Sequence, residues 1–397
     1  MANQIDPGLL SQFAIARTSR RRFLGGSAAA AAALALGGAT LAACGSNDSG
    51  STASPSAPAA DGSPASGTLR VSNWPLYMAD GFVAAFQKAT GITVDYKEDF
   101  NDNEEWFAKN KEPLSRKQDI GADLAVPTTF MATRLHSLGW LNEISESAWS
   151  NKKNLRPDLL EADVDPGRKF SAPYMSGLVG IAYNRAATGR DIKTIDDIWD
   201  PKFKGKVSLF SDAQDGLGML MLSQGGSVTQ PTTEAIQKAA DLVKEQKDKG
   251  QIRRFTGNDY ADDLAAGNIA IAQAYSGDVV QLQADNPDLQ FIVPESGGTT
   301  FVDTMVIPYT TQNQKAAEAW INYIYDRPNY AKLIAHTQYV PVLSNMTAEL
   351  DKIDPKLGSN PLINPPKETL DKVKGWAPLT DEQTQEYNTI YAAVTGG

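Results

Sequence analysis

The chain has 397 residues, 42% of them hydrophobic, and its 47 acidic and 37 basic side chains give a formal net charge of −10. This acidic balance argues against binding to nucleic acid and favours cationic ligands. A single cysteine excludes an intramolecular disulfide.

The first predicted element is an export signal. Three arginines at 20–22 precede an apolar zone over 23–43, and the one cysteine, Cys44, follows directly. "SRRRFL" is similar to the twin-arginine signal of bacterial proteins exported in the folded state, and "LAAC" at 41–44 is similar to a lipobox, whose cysteine is lipidated. A retained membrane-spanning helix over 23–43 is the alternative, since about 20 residues span a bilayer. The abundance of Ala and Gly favours the signal.

The next segment, 45–67, contains no large apolar side chain and is predicted to be a flexible linker. We therefore expect a signal at 1–43, a lipidated cysteine with its linker at 44–67, and a folded part from Thr68 onward. Removal of 1–43, which carries four arginines and one aspartate, changes the net charge from −10 to −13. The folded part exceeds one comfortable core, so we expect two lobes.

The folded part opens with a strand at "TLRVSNW" and a helix at "DGFVAAFQKATG", with Asp80 as N-cap and Gly91 as terminator. Further strands are predicted at "ITVDY", "ADLAVPT", "GLVGIAYN", "GKVSLF", "NIAIAQAY", "LQFIV" and "FVDTMVIP". Further helices are predicted at "TFMATRLHSLG", "TTEAIQKAADLVKEQKDKG", "QKAAEAWINYIYD" and "DEQTQEYNTIYAAV". This alternation predicts an α/β fold with largely parallel sheets covered on both faces. Ligands of such folds bind beyond the carboxyl ends of the strands and in clefts between lobes.

Acidic and aromatic residues follow several of the predicted strands. Phe301 and Asp303 are two apart in a strand and share a face, which makes a cradle for an amine with an apolar tail. The alternative is a core phenylalanine beside an aspartate bonded to a loop. Tyr275 ends another strand and Asp278 follows it, although Asp278 could simply cap a helix.

Two more carboxylates, Asp212 and Asp215, follow the strand that ends at Phe210. Their spacing of three at a helix start places both near one opening, and a capping pair that exploits the helix dipole is the alternative. The remaining candidates also lie after strands, and each aromatic among them is, taken singly, more typical of a core than of a binding wall. These candidates are Trp74, Tyr77, Thr128, Phe130 and Tyr339.

Motifs of enzymes and cofactor sites are absent from the sequence. No His-x-x-x-His, Gly-x-Ser-x-Gly, Walker-type or Gly-x-Gly-x-x-Gly pattern occurs, and His136 and His336 both fall in helical stretches. The sequence therefore predicts a binding protein without cofactor or metal. An extracellular hydrolase that uses paired acids such as Asp215 is an alternative. A structural cell-surface protein is disfavoured because the sequence shows no repeat.

Several of these segments together resemble one family. "NWPLY", "DLAVPTTF", "IDDIWDPKFKGKV", "YSGD" and "FVDTMVIP" are similar to substrate-binding proteins of bacterial ABC importers, above all to the spermidine/putrescine-binding group. The resemblance extends from Thr68 to the C-terminus. It implies two α/β lobes that are joined by crossing segments and close on a ligand in the cleft. We expect one lobe from 68–175 with 302–347 and the other from 176–301 with 348–397.

The resemblance also implies the roles of the candidate residues. Trp74, Tyr77, Thr128 and Phe130 would line the first lobe, Asp212 and Asp215 would bind one amine from the second, and Phe301 with Asp303 would hold an inner amine. Tyr275, Asp278 and Tyr339 would form the remaining walls. The expected ligand is a polyamine such as putrescine or spermidine. The expected partners are ABC permease subunits, for a monomer that is lipid-anchored to the outer face of the cell membrane.

The sequence departs from the polyamine-binding group at some positions. That group commonly has Trp where this chain has Phe301, and often has Trp in place of Tyr275, Tyr in place of Phe130 and a hydroxyl residue in place of Pro75. In some members a glutamine that contacts one end of the ligand follows a Trp, whereas Trp376 is followed here by Ala377. The carboxylates are retained, so a cationic amine is expected while the choice between putrescine and spermidine stays open. Another small ligand, such as an amino-sugar or a metal chelate, is the alternative among binding proteins.

Overall fold

The fold is described from a computed structural model over residues 64–396, except for the side chain of Asp381. The predicted signal, Cys44 and nearly all of the predicted linker lie outside the described residues. No helix between residues 64 and 396 combines the length and the hydropathy that crossing a bilayer requires.

Within residues 64–396 the chain forms twelve strands and fifteen α-helices. The strands are β1 (Thr68–Asn73), β2 (Thr93–Glu98), β3 (Leu124–Ala125), β4 (Leu141–Asn142), β5 (Ala172–Asn184), β6 (Val207–Phe210), β7 (Ile252–Thr256), β8 (Ile271–Tyr275), β9 (Leu289–Ile292), β10 (Gly298–Met305), β11 (Ile307–Pro308) and β12 (Val373–Gly375). The helices are α1 (Phe82–Thr90), α2 (Asn103–Ser115), α3 (Thr129–Ser137), α4 (Pro157–Leu160), α5 (Arg185–Thr188), α6 (Ile195–Ile198), α7 (Ala213–Ser223), α8 (Thr233–Asp248), α9 (Tyr260–Ala265), α10 (Ser276–Gln283), α11 (Gln314–Ile324), α12 (Arg327–Thr337), α13 (Thr347–Asp351), α14 (Lys367–Lys372) and α15 (Asp381–Thr395).

The buried apolar side chains form two separate clusters, one for each lobe. The first is built from residues between 69 and 175 and between 305 and 363, and the second from residues between 179 and 289 with Tyr387, Tyr391 and Val394 of α15. The first lobe contains a parallel sheet of order β2-β1-β3 and the antiparallel pair β4-β11. The larger sheet has the order β12-β10-β5-β8-β6-β7, with β9 beside β5.

Two neighbouring strands, β5 and β10, run from one lobe into the other. On β5, Met175 belongs to the first cluster and Val179 to the second. The chain enters the second lobe along β5 and returns along β10, so the two strands pair antiparallel. β5 is also antiparallel to β8 and β9. The expectation of largely parallel sheets is therefore correct for the three-stranded sheet of the first lobe, whereas the larger sheet is mixed: β6–β7, β6–β8 and β10–β12 are parallel, and every pair that involves β5 is antiparallel.

The proposed lobe boundaries can be compared with the two clusters. The change from the first cluster to the second within β5 lies close to the predicted boundary at 175. Leu350, Leu357 and Ile363, however, pack in the first cluster although they follow residue 347. The segmentation stays a prediction, and the packing suggests that the C-terminal crossing lies beyond Ile363.

Every strand and helix that local signals predicted is present, although elements such as β7, α2 and α12 were not predicted, and the start of the first helix differs from the prediction. α1 begins after Gly81, whose φ of 74° lies in the left-handed region, and the cap residue forms no side-chain hydrogen bond. Asp80 is therefore not the N-cap. Gly91 ends the helix as expected, with a φ of 75° that favours glycine.

Candidate functional site

A small hollow lies between the two lobes and gathers most of the predicted site residues. Its empty volume is about 280 Å³, including the part open to solvent. Eight of its nine lining residues were predicted from the sequence, and the ninth is Asn258. The eight are Trp74, Tyr77, Thr128, Asp215, Tyr275, Phe301, Asp303 and Tyr339.

Asp303 is the central carboxylate of the hollow. It lies on β10 where that strand crosses between lobes, and only 4% of it is exposed. Its Oδ2 accepts a hydrogen bond from the hydroxyl of Tyr77 at 2.7 Å, and its Oδ1 accepts one from Thr128 at 2.8 Å. Burial raises the pKa of Asp303 to about 7, against the lowering effect of both hydroxyls. The protein thus holds a carboxylate in a poorly solvated place with its oxygens fixed.

Asp215 is the second carboxylate on the wall. It lies in the first turn of α7 and accepts a hydrogen bond from the hydroxyl of Tyr275 at 2.7 Å. Burial raises the pKa of Asp215 to about 6, and the hydroxyl of Tyr275 acts against this rise. Asp212 does not line the hollow. It is the N-cap of α7 and accepts from the backbone N–H groups of Gln214 and Asp215 at 2.9 and 3.1 Å.

Asp212 therefore fits the capping alternative, yet it still affects the electrostatics of the site. Burial and the nearby charges of Asp215 and Asp102 raise its pKa well above the ordinary value. Asp102 belongs to the first lobe and receives a hydrogen bond from Ser211 of the second at 2.7 Å. Three acids thus lie near one another at this side of the cleft.

Asp278 lies behind the wall and does not line the hollow. It is fully buried in α10, where its Oδ2 accepts from Asn258 at 3.0 Å and from the hydroxyl of Tyr260 at 2.8 Å. Its Oδ1 accepts from the hydroxyl of Tyr339 at 2.5 Å. Burial raises its pKa to about 6, although all three partners lower it. Asp278 positions two residues of the wall, Asn258 and Tyr339.

Aromatic rings form the remaining surface of the hollow. The rings of Tyr77 and Tyr339 meet edge to face at 4.9 Å, and Phe301 lies 5.1 Å from Tyr275 and 6.1 Å from Tyr339. Trp74 is fixed by a hydrogen bond from its Nε1 to the carbonyl of Val126 at 2.6 Å. Such rings can pack on methylenes or face a cation.

Two glycines make room for these rings. A Cβ on Gly277 would collide with the ring of Tyr339, and a Cβ on Gly177 would collide with the ring of Phe301. Gly277 opens the first turn of α10 beside Asp278, and Gly177 lies on β5 opposite Phe301. The glycine of "YSGD" therefore has a packing role in the site.

The two lobes touch directly beside the hollow. The backbone N–H of Asn258 donates to the carbonyl of Asn101 in the first lobe at 3.0 Å. Asn388 of α15 donates to Glu104 at 3.0 Å, and Gln281 donates to the carbonyl of Leu76 at 3.3 Å. The structure therefore has the lobes closed against each other.

The acids of this site, of which Asp278 and Asp303 are buried and Asp212 and Asp215 are half-buried, are not neutralised by any basic side chain of the described residues. In the described part of the protein, no lysine, arginine or histidine forms an ion pair with Asp212, Asp215, Asp278 or Asp303, and burial raises the pKa of each. An isolated buried carboxylate is costly unless a positive charge neutralises it. The arrangement can therefore bind a cation that enters from outside.

Phe130 lines a second and larger cavity that adjoins the hollow. We call this cavity the annex; its empty volume is about 1470 Å³ including its open mouth, and it shares Thr128, Asp215 and Phe301 with the hollow. Its other walls come from α3, from the segment around Arg168 and from residues 375–380. Phe130 is thus close to the site without being on the wall of the hollow.

Comparison with known proteins places these observations in a family context. A family model described as bacterial extracellular solute-binding protein matches residues 81–364. The spermidine/putrescine-binding periplasmic protein of Escherichia coli (strain K12) is 28% identical over 334 residues, which are 83% of this chain and 92% of that protein. The putrescine-binding periplasmic protein PotF of the same strain is 30% identical over 329 residues, which are 77% of this chain and 85% of that protein.

Solved structures share the fold. A lipoprotein of Treponema pallidum superposes with a TM-score of 0.70 at 22% identity, over 83% of this chain and all of that one. A spermidine/putrescine ABC transporter substrate-binding protein of Streptococcus pneumoniae gives a TM-score of 0.67 at 24% identity, over 83% of this chain and 98% of that one. The predicted two-lobe α/β fold of a periplasmic binding protein is confirmed.

Proposed function

Because the chain belongs to the family of bacterial extracellular solute-binding proteins, we propose that it binds a polyamine outside the cytoplasm and delivers it to an ABC importer. Membership in this family confirms the prediction of a binding protein rather than an enzyme. Relatives named for spermidine and putrescine support the ligand class.

The observation that carries the proposal is a pair of carboxylates, Asp303 buried and Asp215 half-buried, that no basic side chain among residues 64–396 neutralises. Asp303 and Asp215 line one small hollow, each held by a tyrosine hydroxyl, with aromatic rings between them. An ammonium group supplies the missing positive charge, and the rings offer apolar contacts to a short alkyl chain.

The energetics support this ligand. A charge pair 4 Å apart contributes about 4 kcal/mol at an effective dielectric near 20. Micromolar binding requires only about −8.2 kcal/mol. Two carboxylates and the aromatic walls can supply this after the costs of desolvation and ordering.

Calorimetry tests the proposal directly. We expect putrescine to bind the purified protein with a dissociation constant at or below the micromolar range at pH 7.5. A neutral butanediol of the same chain length is the control and is expected not to bind. Absence of heat from putrescine and spermidine up to millimolar concentration would refute the proposed ligand class.

The same titration should depend on pH. Ligand ammonium groups favour ionised carboxylates, so binding must displace protons from Asp303, whose pKa is about 7, and from Asp215, whose pKa is about 6. We expect the association constant to fall at least tenfold between pH 8 and pH 6. An affinity that stays constant over this range would show that these groups do not contact the ligand.

The stability of the ligand-free protein should depend on pH in the opposite direction and fall as the pH rises. The folded pKa of these groups exceeds the ordinary value of 3.8, so the native state holds more protons than the unfolded chain between about pH 4 and pH 7. Their contribution to stability is complete below that window and is lost as the pH rises through it. Thermal unfolding of the ligand-free protein at pH 5 and pH 7.5 measures this difference.

Export and anchoring complete the proposal. The protein would be a monomer tethered to the outer face of the cell membrane by lipid on Cys44, with the segment 45–67 as a leash, and would present its closed form to the permease subunits. We expect Cys44→Ser to move the protein from the membrane fraction to the medium, because the lipid cannot be attached. Ser49→Ala is the control and should stay with the membranes. Retention of Cys44→Ser in the membrane fraction would instead indicate an uncleaved helix over 23–43.

A further inference from the structure

The charge of the cleft reverses from the hollow to the annex. Among residues 64–396, those that line the hollow include the acids Asp215 and Asp303 and no basic residue. Among the described residues that line the annex, Asp215 at the shared border is the only carboxylate, while Arg134 and Arg168 are both present. Most of the other annex walls are apolar or carry hydroxyls. A ligand that extends from the hollow into the annex therefore passes from a negative to a positive environment.

The two arginines of the annex differ in how they are paired. Arg134 donates to both carboxylate oxygens of Glu104 at 2.9 and 3.0 Å, and its guanidinium lies 3.9 Å from the ring centre of Phe107. Its charge is already balanced. Arg168 is only 2% exposed and forms no ion pair within the described part of the chain.

Arg168 retains an unused donor. Its Nε donates to the carbonyl of Leu159 at 2.5 Å and its Nη1 donates to the hydroxyl of Ser171 at 3.2 Å, while Nη2 has no hydrogen-bond partner among the described residues. The buried carboxylate of Asp165 accepts instead from Ser171 and from the backbone of Lys169. A buried guanidinium with a free N–H can donate to an oxygen that the chain itself does not provide.

A third ammonium group is a poor match for the annex. It would leave water beside the unpaired guanidinium of Arg168 and would gain no carboxylate beyond Asp215 at the shared border, and an unpaired buried charge is costly. An uncharged extension avoids this cost and gains contact with apolar walls such as Leu159 and Val164. An oxygen on that extension could accept from Arg168.

We propose that the annex binds an acyl group, so that the preferred ligand is a polyamine acylated at one end rather than the free triamine. The ammonium groups occupy the hollow beside Asp303 and Asp215, and the acyl carbonyl accepts a hydrogen bond from Arg168. This inference rests on the proposed amine binding in the hollow and adds the chemistry of the ligand's far end.

Three ligands that share the putrescine unit test the inference by calorimetry. Spermidine carries a third ammonium group on its aminopropyl arm, N1-acetylspermidine carries an acetamide at the same place, and N-propylputrescine carries neither. We expect N1-acetylspermidine to bind at least tenfold more tightly than spermidine and at least threefold more tightly than N-propylputrescine. Spermidine binding as tightly as its acetylated form, or more tightly, overturns the proposal.

Titration with putrescine distinguishes a failure of the annex proposal from a failure of the proposed function. If putrescine binds and the acetylated ligand has no advantage over spermidine, only the role of the annex is refuted. If neither putrescine nor any member of the series binds, the amine site in the hollow is refuted and the annex proposal with it. Equal affinity for N1-acetylspermidine and N-propylputrescine overturns the assignment of Arg168 as the carbonyl's donor.

Variants provide a second test that does not require Arg168 to be removed. Ala377 lines the annex, and Ala377→Asp adds a carboxylate there, with Ala377→Asn as a control of nearly equal size. Relative to Ala377→Asn, Ala377→Asp should shift the ratio of the affinities for spermidine and N1-acetylspermidine at least tenfold toward spermidine. An unchanged ratio contradicts the electrostatic argument. Arg168→Gln, if it folds, should abolish the advantage of the acetyl group over the propyl group.

Discussion

Replacing Asp303 by asparagine is expected to weaken putrescine binding about a hundredfold while leaving the ligand-free protein at least as stable as the parent. Asp303 is the central carboxylate of the hollow, and loss of one partner of a buried charge pair costs roughly 2–5 kcal/mol. The amide keeps the shape of the side chain and removes a buried charge, which by itself is unfavourable in the folded state.

Calorimetry and thermal unfolding measure the two effects on the same sample. Asp262→Asn, at an exposed position on α9, is the control and should change neither. The pH dependence of putrescine binding should also become shallower in Asp303→Asn, because the carboxylate of the hollow with the higher pKa, about 7, no longer titrates. An unchanged dissociation constant would remove Asp303 from the ligand site.

Substitution of Gly257 by valine is expected to prevent closure of the lobes and to weaken putrescine binding roughly thirty- to a hundredfold. Gly257 follows β7 in the second lobe, and a Cβ there would collide with the carbonyl oxygen of Asn101 in the first. That carbonyl also accepts from the N–H of Asn258. Forcing a side chain into such a contact costs roughly 1–3 kcal/mol, and the backbone on both sides can give little.

The open form should tolerate the new side chain, because the collision is with the opposite lobe. We therefore expect thermal stability without ligand to change little, while small-angle scattering no longer shows compaction when putrescine is added. Gly257→Ala should have a smaller effect in the same direction. Ala266→Val, on an exposed position of the same lobe, is the control. Normal compaction in Gly257→Val would show that the contact with Asn101 is not part of closure.

Much of the hollow could be predicted because acids and aromatic residues directly follow predicted strands. Trp74 follows β1, Tyr275 ends β8, and Asp215 follows β6 by one turn of helix. The end of a strand determines where the following side chains lie, so short segments of sequence were enough to predict that these residues line a ligand site. The resemblance to a family then combined segments that are distant along the chain.

Asn258 was not predicted as a site residue because the strand before it, β7, was not predicted. β7 reads "IRRFT", with two exposed arginines in succession and no alternation of apolar and polar residues. Once β7 is known, "GND" after it becomes a strand-end segment like the others. The signal was present in the sequence but depended on an element that periodicity alone does not reveal.

Asp212 and Asp278 show a different limit. Their sequence contexts match those of the residues on the wall, yet Asp212 caps α7 and Asp278 bonds Asn258, Tyr260 and Tyr339 from behind. The direction in which the side chain points decides whether such an aspartate contacts the ligand or only holds a residue that does. Only three-dimensional packing resolves that difference. The antiparallel pairing of β5 could not be predicted for a similar reason, since whether a strand crosses between lobes depends on the fold of the whole chain.

The antiparallel crossing of β5 and β10 has a mechanical consequence. Groups near an axis of rotation move least, and Asp303 lies on a crossing strand, directly before the point where its register with β5 shifts. Its two hydroxyl partners, Tyr77 and Thr128, both come from the first lobe. We expect an incoming amine to dock first on this nearly stationary trio, with Asp215 and Tyr275 swinging onto the other end afterwards. Capture and enclosure would then be successive events, the first governed by encounter and the second by domain rotation.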